Sequence, residues 1–145
     1  ELIYQGPNVM LGYAESLADL ALGDQCQGQL ATGDIGYCDR DGCFYITGRA
    51  KRFIKMFGLR ISLDTVDEVL ARRGLDATSM GRDDKLMIFV SESAGVEPVA
   101  LATELSALFK INVNAIAVHQ ITAIPRSSNG KVDGQAIKTL MTQYE

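Results

Sequence analysis

Histidine and cysteine are scarce in this sequence of 145 residues, which has one histidine and three cysteines. The cysteines Cys26, Cys38 and Cys43 form no Cys-x-x-Cys pair. His119 lies in a predicted strand, where we expect it to face a neighbouring side chain rather than a ligand. A structural zinc site needs about four clustered cysteine and histidine ligands. We therefore expect no metal site, and we expect reduced thiols in a cytoplasmic protein.

Basic clusters and long apolar runs are missing as well. The 14 lysines and arginines are outnumbered by 18 aspartates and glutamates, and the net charge is −4. Without a basic block or stripe, a nucleic-acid-binding role based on phosphate contacts is not expected. No apolar run reaches transmembrane length, and no signal-peptide pattern is visible. The sequence therefore predicts neither a nucleic-acid partner nor a transmembrane segment.

Apolar residues are plentiful enough to form a core, since 47% of the sequence is hydrophobic. This length and composition suit one ordinary domain, or one small domain together with part of another. The chain begins at Glu1, inside a predicted strand and without a methionine. We therefore expect it to be a fragment of a longer protein.

Short strands and turns with few core positions are predicted for the first part of the chain. The first strand covers residues 1–6, which alternate between apolar and polar and end in glycine. Two more strands are expected at residues 30–32 and 44–47, separated by a hairpin-type turn at 39–42. A short helix is predicted over residues 14–22, with an apolar side formed by Leu17, Leu20 and Ala21.

A β-hairpin followed by a helix is predicted for the start of the second part. The hairpin strands cover residues 53–57 and 59–62, on either side of Gly58. Asp64 is predicted as the N-cap of the helix, which ends at Gly74. The apolar stripe of this helix is formed by Val66, Val69 and Leu70.

A strand, a helix and a second strand come next, in an order that suggests a crossover onto a small sheet. The strands are expected at residues 85–93 and 115–121. The helix between them covers residues 96–110, with Pro98 in its first turn. Its apolar side is formed by Leu101, Leu105, Leu108 and Phe109. Asp133 is predicted to cap a last helix. The inward side of that helix is formed by Ile137, Leu140 and Met141.

A domain boundary is predicted between Ala50 and Lys51, where regular elements replace short strands and turns. Residues 51–145 have the usual size of a compact domain. The predicted fold class is α+β: a small domain with a short β-hairpin and a three-stranded sheet packed with helices. Residues 1–50 are predicted to be a β-rich segment of a different domain.

Three motifs stand in order along the chain. They are "ATGDIGYCDRDGCFYITGR" at residues 31–49, "GRAKRFIKMFGLRISLD" at 48–64 and "PRSSNGKVD" at 125–133. Together with the opening "ELIYQGPNVMLGY", they resemble the C-terminal signature motifs of the adenylate-forming (ANL) superfamily. This superfamily contains acyl-CoA synthetases, non-ribosomal peptide synthetase adenylation domains and luciferases. The resemblance covers nearly the whole chain and is specific, because four motifs appear in the right order.

The resemblance implies how the two parts of the chain divide. Residues 1–50 match the last β-rich segment of the family's large N-terminal adenylation domain. Residues 51–145 match its small, mobile C-terminal α+β domain. The family's phosphate loop and most of its acyl pocket lie in the N-terminal domain and are not visible here.

Two nucleotide-binding residues are implied by the motifs. Asp34 matches the aspartate that accepts hydrogen bonds from the ribose hydroxyls of ATP, a task that suits a carboxylate. Arg49 matches the arginine that approaches the ribose or the phosphates. Without the resemblance, Asp34 is an ordinary aspartate at a glycine turn and Arg49 a member of a surface salt bridge.

Two further residues match positions that serve the second half of the family's reaction. Lys51 falls at the hinge, which absorbs backbone rotation between two domain orientations. Gly58 matches the glycine that lets its loop line the thiol channel, because a missing Cβ permits close backbone approach. Their ordinary interpretations are an exposed linker lysine and a simple turn glycine.

Lys131 stands on a polar loop, directly after the strong turn signal Asn129-Gly130. On its own this lysine has an ordinary interpretation as a solvated turn residue. In the family motif, the matching lysine is the catalytic cation of adenylation. A fixed positive charge there stabilises the reacting oxygens as two anions approach each other. The loop is expected to be mobile, because the lysine must leave the site before the second half-reaction.

The implied function is that of an ATP-dependent, AMP-forming carboxylic acid ligase. Its cofactors would be ATP with Mg2+, and its acyl acceptor would be the thiol of CoA or phosphopantetheine, with an acyl carrier protein as a possible partner. The fragment by itself is expected to be inactive. The alternative is a non-catalytic docking module that retains the fold and contacts, for example, an acyl carrier protein. The presence of Asp34, Arg49 and Lys131 favours the enzyme, because a docking module does not need all three.

The sequence departs from the family pattern in three places, one of which is the stretch "TSMGRDDKLM", shorter than the family's usual strand and loop before the central strand. After the hairpin, the sequence reads "SLDTVDEV" where the family usually has a glutamate-rich stretch. After the lysine, it continues with Val132-Asp133-Gly134 where a basic residue is usual. None of these departures removes a predicted catalytic group, and together they leave the subfamily and the acyl substrate open.

Overall fold

Nine short strands and three α-helices are spread over residues 1–144, which are the residues that the computed structural model describes. The chain divides into two compact units, Glu1–Lys51 and Arg52–Glu145. This division lies one residue from the predicted boundary between Ala50 and Lys51. The mixture of short sheets and packed helices confirms the α+β fold class.

The first unit contains two antiparallel strand pairs. Strand β1 (Ile3–Gln5) pairs with β2 (Gln29–Ala31). Strand β3 (Asp34–Cys38) pairs with β4 (Phe44–Arg49), and the predicted turn joins these two strands. Strand β3 was not predicted, since Gly36 interrupts the strand pattern, and the strand before the turn was expected at residues 30–32. The structure explains this glycine, since a Cβ there would lie 2.5 Å from the carbonyl oxygen of Tyr45 on β4.

The short helix predicted over residues 14–22 is present over its central residues. It is a 3₁₀ helix at Leu17–Ala21, and its five residues are slightly more than most 3₁₀ helices have. Its leucines do not form a buried side, because Leu17 is 89% and Leu20 is 72% exposed. The turn is held by the Asp19 carboxylate, which accepts hydrogen bonds from the backbone of Ser16 and Glu15. Local capping, rather than an apolar contact, therefore stabilises this segment.

The second unit begins with the predicted hairpin and helix. Strand β5 (Phe53–Met56) pairs with β6 (Leu59–Ser62), and helix α1 (Leu63–Arg72) follows directly. The N-cap is Ser62, whose hydroxyl accepts from the Thr65 amide at 3.3 Å, so the prediction of Asp64 was wrong. Asp64 lies in the first turn instead. Val66 and Leu70 of the predicted stripe are fully buried, and Val69 is partly buried.

A three-stranded sheet forms the centre of the second unit. Strand β8 (Lys85–Ser91) lies between β7 (Ala77–Arg82), which is antiparallel to it, and β9 (Ile116–Ile121), which is parallel. Helix α2 (Pro98–Phe109) makes the crossover from β8 to β9, as predicted. The last helix, α3 (Gly134–Gln143), is capped by Asp133, whose carboxylate accepts from the Gln135 and Ala136 amides. This cap confirms the prediction.

Alternating residues of β8 divide the core into two clusters. Leu86 and Ile88 pack with α1, α2 and the hairpin, whereas Met87 and Phe89 pack with Ile137 of α3. This alternation is the expected period of a strand that is covered on both faces. The predicted apolar side of α2 is only partly right. Leu101 and Leu105 are buried and Phe109 is partly buried, but Leu108 is 52% exposed.

Candidate functional site

Asp34 and Arg49 face each other at one end of the β3–β4 pair. They are register partners, and the Arg49 Nε atom lies 3.3 Å from Asp34 Oδ1. The side chain of Asp34 is 25% exposed and that of Arg49 is 71% exposed. The structure therefore brings together the two residues predicted to bind the nucleotide, with a carboxylate held beside a largely exposed guanidinium.

The backbone around Asp34 is fixed by short-range hydrogen bonds. The Asp34 amide donates to the Thr32 hydroxyl at 3.1 Å, and that hydroxyl donates to the Leu2 carbonyl at 2.9 Å. Gly33, at φ +77°, provides the left-handed turn before the strand. Its carbonyl accepts from the Ala50 amide at 2.7 Å. This arrangement leaves the Asp34 carboxylate to accept donors such as a pair of vicinal hydroxyls.

Lys51 stands between two anchored residues. On one side, the Ala50 amide is bonded to Gly33 of the first unit. On the other side, the Arg52 carbonyl accepts from the Leu63 amide of the second unit at 2.9 Å. Lys51 itself is exposed and is the last residue of the first unit. Lys51 is therefore flanked by one residue bonded within the first unit and one bonded within the second, and its role as a hinge stays a prediction.

Gly58 lies at the tip of the β5–β6 hairpin. Phe57 has φ +50° and Gly58 has φ +88°, as in the primed turns that favour tight hairpins. Positive φ is uncommon for a bulky residue such as Phe57, whose side chain is 65% exposed. A Cβ on Gly58 would meet no heavy atom within 4 Å. Backbone conformation rather than crowding within this chain therefore explains the glycine.

The turn between β7 and β8 holds this hairpin tip in place. The Asp84 carboxylate accepts from the Phe57 amide at 2.6 Å, and the Asp84 amide donates to the Lys55 carbonyl at 2.7 Å. The Asp83 carboxylate accepts from the Lys55 amide at 3.1 Å. Neither aspartate was predicted as a functional residue. Their only signal in the sequence is two adjacent aspartates before the apolar run of β8, and such pairs are usually just solvated.

Lys131 closes a turn that is bonded to itself. The Lys131 carbonyl accepts from the Ser127 amide at 2.8 Å and from the Ser127 hydroxyl at 3.0 Å. The Lys131 amide donates to Asn129 Oδ1 at 3.2 Å, and Gly130 has φ +79°. The Lys131 side chain is exposed. The loop therefore presents the predicted catalytic ammonium from a defined backbone, and its predicted mobility stays a prediction.

His119 contacts aromatic side chains, as expected from its place in a strand. Its ring lies 5.6 Å from that of Phe89 and 4.5 Å from that of Tyr144. Burial, together with the positive charge of Lys85, lowers the pKa of His119. Its buried Nε2 atom has no hydrogen-bond partner within residues 1–144. These contacts make His119 part of the packing between the sheet and the C-terminal segment.

The predicted site residues are divided between the two units. Asp34 and Arg49 belong to the first unit, Gly58 and Lys131 occupy different loops of the second, and Lys51 ends the first unit. Within the described part of the chain, no group of three or more histidine, cysteine, aspartate or glutamate side chains is arranged to hold a metal ion. None of the helices in that part has the length and apolarity needed to cross a membrane.

Comparison with known proteins gives consistent relatives, although no family profile matches the chain. Sulfoacetate–CoA ligase of Cupriavidus necator is 31% identical over 97% of the chain. A structure of a fatty acyl-adenylate ligase, from work on the E. coli and L. pneumophila enzymes, is 27% identical with a TM-score of 0.69 over 97% of the chain. O-succinylbenzoate CoA synthetase of Bacillus subtilis, solved with ATP and magnesium, is 25% identical with a TM-score of 0.65 over 94% of the chain. The chain spans 29%, 27% and 30% of these three proteins.

Proposed function

Since the chain corresponds to the C-terminal part of an adenylate-forming enzyme in the acyl-CoA synthetase family, we propose that it works within an ATP-dependent carboxylic acid ligase. In the first half-reaction, a carboxylate oxygen of the substrate attacks the α-phosphate of ATP, and the bond to pyrophosphate breaks. In the second half-reaction, a thiol sulfur attacks the acyl carbonyl and AMP leaves. The acceptor is the thiol of CoA or of a phosphopantetheine on an acyl carrier protein.

The observation that carries this proposal is the placement of Lys131. Its side chain is exposed at the end of a turn whose backbone is held by Ser127 and Asn129. An ammonium presented in this way supplies a preorganised positive charge where the attacking carboxylate meets the α-phosphate. Because Lys131 leads into the capped helix α3, rotation of the whole second unit would move the lysine without remaking its turn.

Asp34 and Arg49 supply the nucleotide contacts in this proposal. The Asp34 carboxylate accepts from the two ribose hydroxyls, while Arg49 holds that carboxylate and approaches the ribose or the phosphates. Magnesium would enter with the phosphates of ATP, because this ion is usually bound through substrate phosphates and only one or two carboxylates.

Lys51 and Gly58 serve the thiol half of the reaction. Rotation about the Lys51 backbone replaces the Lys131 loop at the site with another face of the second unit. The β5–β6 hairpin then lines the thiol channel, where Gly58 leaves room for the pantetheine arm. We also propose a cytoplasmic location, which the three free cysteines support.

The decisive experiment separates the two half-reactions in the full-length enzyme that contains this chain. Lys131→Ala should lower pyrophosphate exchange about a hundredfold or more, equivalent to about 3 kcal/mol of transition-state stabilisation. Thioester formation from supplied acyl-adenylate should stay near normal. Lys131→Arg should rescue little, because a planar guanidinium does not replace a compact ammonium.

Lys138→Ala provides the matched control, because Lys138 is an exposed lysine of the same unit on α3. It should leave both half-reactions unchanged. The 145-residue chain alone should catalyse no pyrophosphate exchange, because the residues expected to bind the triphosphate and the acyl group are outside it. Near-normal exchange by Lys131→Ala would instead make Lys131 a solvated turn residue, and no exchange by the unmodified full-length protein would favour the docking module.

A further inference from the structure

We infer that Arg126 is a positioning residue for adenylation, which orients the Lys131 loop through a bridge to Asp76; this inference rests on the proposed function. One nitrogen of its guanidinium, Nη1, donates to the Gly130 carbonyl at 3.1 Å. The other, Nη2, lies 2.6 Å from Asp76 Oδ1. A single side chain therefore connects the peptide group before Lys131 to a residue 50 positions earlier in the chain.

Asp76 is a firm anchor because its backbone is tied to the central sheet. It immediately precedes β7, and its carbonyl accepts from the amide of Ser91, at the end of β8, at 2.9 Å. The bridge thus runs from the sheet through Asp76 and Arg126 to Gly130. The loop that carries Lys131 is therefore linked, through one side-chain pair and one backbone hydrogen bond, to the buried end of β8.

The peptide bond between Gly130 and Lys131 explains how this bridge orients the lysine. A peptide group is planar, so its carbonyl and its amide turn together. Arg126 holds the carbonyl of this group, and Asn129 Oδ1 holds its amide at 3.2 Å. With both ends held, this plane is restrained, and because the Ser127 amide and hydroxyl hold the Lys131 carbonyl of the next peptide group, the Cα–Cβ direction of Lys131 is restrained as well.

Glycine makes this restraint necessary. Gly130 has φ +79°, and a glycine at such a position moves between backbone conformations more easily than any other residue. Without Arg126, the Asn129 bond alone would hold the peptide plane. The Ser127 bonds would still close the turn. Loss of Arg126 should therefore misdirect the ammonium while leaving the loop and the unit folded.

Arginine suits this position better than lysine. Its planar guanidinium reaches the Gly130 carbonyl and the Asp76 carboxylate simultaneously through two different nitrogens. An ammonium at the end of a flexible stem does not hold two acceptors in this fixed geometry. The side chains of Arg126 and Asp76 are 47% and 45% exposed, so the pair should add little to global stability.

The test compares Arg126→Ala, Lys131→Ala and the double variant in the full-length enzyme. Arg126→Ala should lower kcat of pyrophosphate exchange about tenfold, because a small displacement of a catalytic group is costly. The KM for ATP and the rate of the thioester half-reaction should change less than about twofold. Arg126 does not contact the substrate in this proposal, so its loss should not weaken ATP binding. In the Lys131→Ala background, Arg126→Ala should cause no further loss, because it acts only through that lysine.

Three additional variants sharpen the comparison. Arg126→Lys should recover little activity, and Asp76→Asn should lose part of it. Arg73→Ala is the matched control, because Arg73 forms a similar surface bridge to Glu104 at 2.5 Å without touching the lysine loop. It should leave both half-reactions unchanged.

The outcomes distinguish this inference from the proposed function. Equal losses in both half-reactions, or a further tenfold loss in the Lys131→Ala background, would show that Arg126 does not act through the lysine. If Arg126→Ala exchanges pyrophosphate normally while Lys131→Ala has lost most of this activity, the positioning role of Arg126 is wrong and the proposed function is unaffected. Normal exchange by Lys131→Ala would overturn the catalytic role of Lys131 in the proposed function, and the role of Arg126 with it, whereas no exchange by the unmodified full-length protein would overturn the proposed function itself.

Discussion

Arg52 and Asp67 form an ion pair that ties the residue after the proposed hinge to helix α1. The Arg52 Nε atom also lies 2.6 Å from Asp64 Oδ1, as an ion contact without the alignment of a hydrogen bond. The other oxygen of Asp67 accepts from the Ser79 amide at 2.6 Å. The aspartates of "SLDTVDEV", which depart from the family pattern, therefore fasten the start of the second unit to its first helix and its sheet.

Removing Arg52 should destabilise the second unit measurably. The two partners are each only 30% exposed, and Arg52→Ala would leave a partly buried carboxylate without its cation. Burial already raises the pKa of Asp67, while Ser79 and Arg52 oppose that shift, so the pKa should rise further in the variant. We expect a loss of about 1–3 kcal/mol in urea unfolding of this chain. Arg72→Ala is the control on the same helix, because the Arg72–Glu68 pair is largely exposed at 3.7 Å; it should cost less than about 0.5 kcal/mol. If both variants lower the free energy of unfolding equally, the bridge from Arg52 to Asp67 stabilises the unit no more than an exposed ion pair does.

Restricting the backbone at Lys51 should slow the thiol half-reaction selectively. Lys51→Pro fixes φ at the one residue between the bonds of Ala50 and Arg52. In the full-length enzyme, thioester formation should fall about tenfold or more while pyrophosphate exchange is largely retained. Lys51→Ala should behave like the wild type, because it removes the charge but not the rotation. A similar loss in both half-reactions of Lys51→Pro would contradict the hinge assignment.

Filling the space at Gly58 should also affect the thiol half-reaction. Gly58→Leu adds a side chain where this chain leaves open space, at φ +88°. Gly58→Ala introduces the same backbone strain, about 1–2 kcal/mol, with almost no bulk. Thioester formation should therefore fall much further in the leucine variant than in the alanine variant, with adenylation retained in both. If the two variants lose thioester formation equally, strain rather than channel blocking is the cause.

The stability of the second unit should depend on the protonation of His119. Burial and Lys85 lower the pKa of His119 in the folded state. Below pH 6.5, the ordinary pKa of histidine, the unfolded chain therefore binds a proton more readily than the folded chain. The contribution of His119 should therefore be complete above about pH 6.5 and be lost as the pH falls through the lower folded-state value. His119→Phe keeps a ring against Phe89 and Tyr144 and removes the titrating group. Urea unfolding at pH 7.5 and 5.5 should show a smaller pH dependence for the variant. An unchanged dependence would assign it to other groups, since this is the only histidine in the chain.

Much of the second unit could be predicted from the sequence because its signals are local. The apolar run of β8, the Pro98 start of α2 and the Asp133 cap of α3 each depend on a few neighbouring residues. The motifs around Asp34, Gly58 and Lys131 are equally local. They were sufficient to identify the family, and the comparisons confirm it.

Tertiary structure decided what local patterns do not specify. The strand predicted to pair with β4 was the wrong one. The reason for a glycine at position 36, the close approach of the Tyr45 carbonyl, exists only once β3 and β4 are aligned. The sequence places Leu17 on the apolar side of a short helix, but only packing decides whether that side is buried, and the structure leaves Leu17 89% exposed. The contact between Arg126 and Asp76 joins residues 50 positions apart. Hydrophobic periodicity and turn motifs report only on residues close together in sequence. The two charges come within reach only when the chain folds and places the lysine loop beside the start of β7.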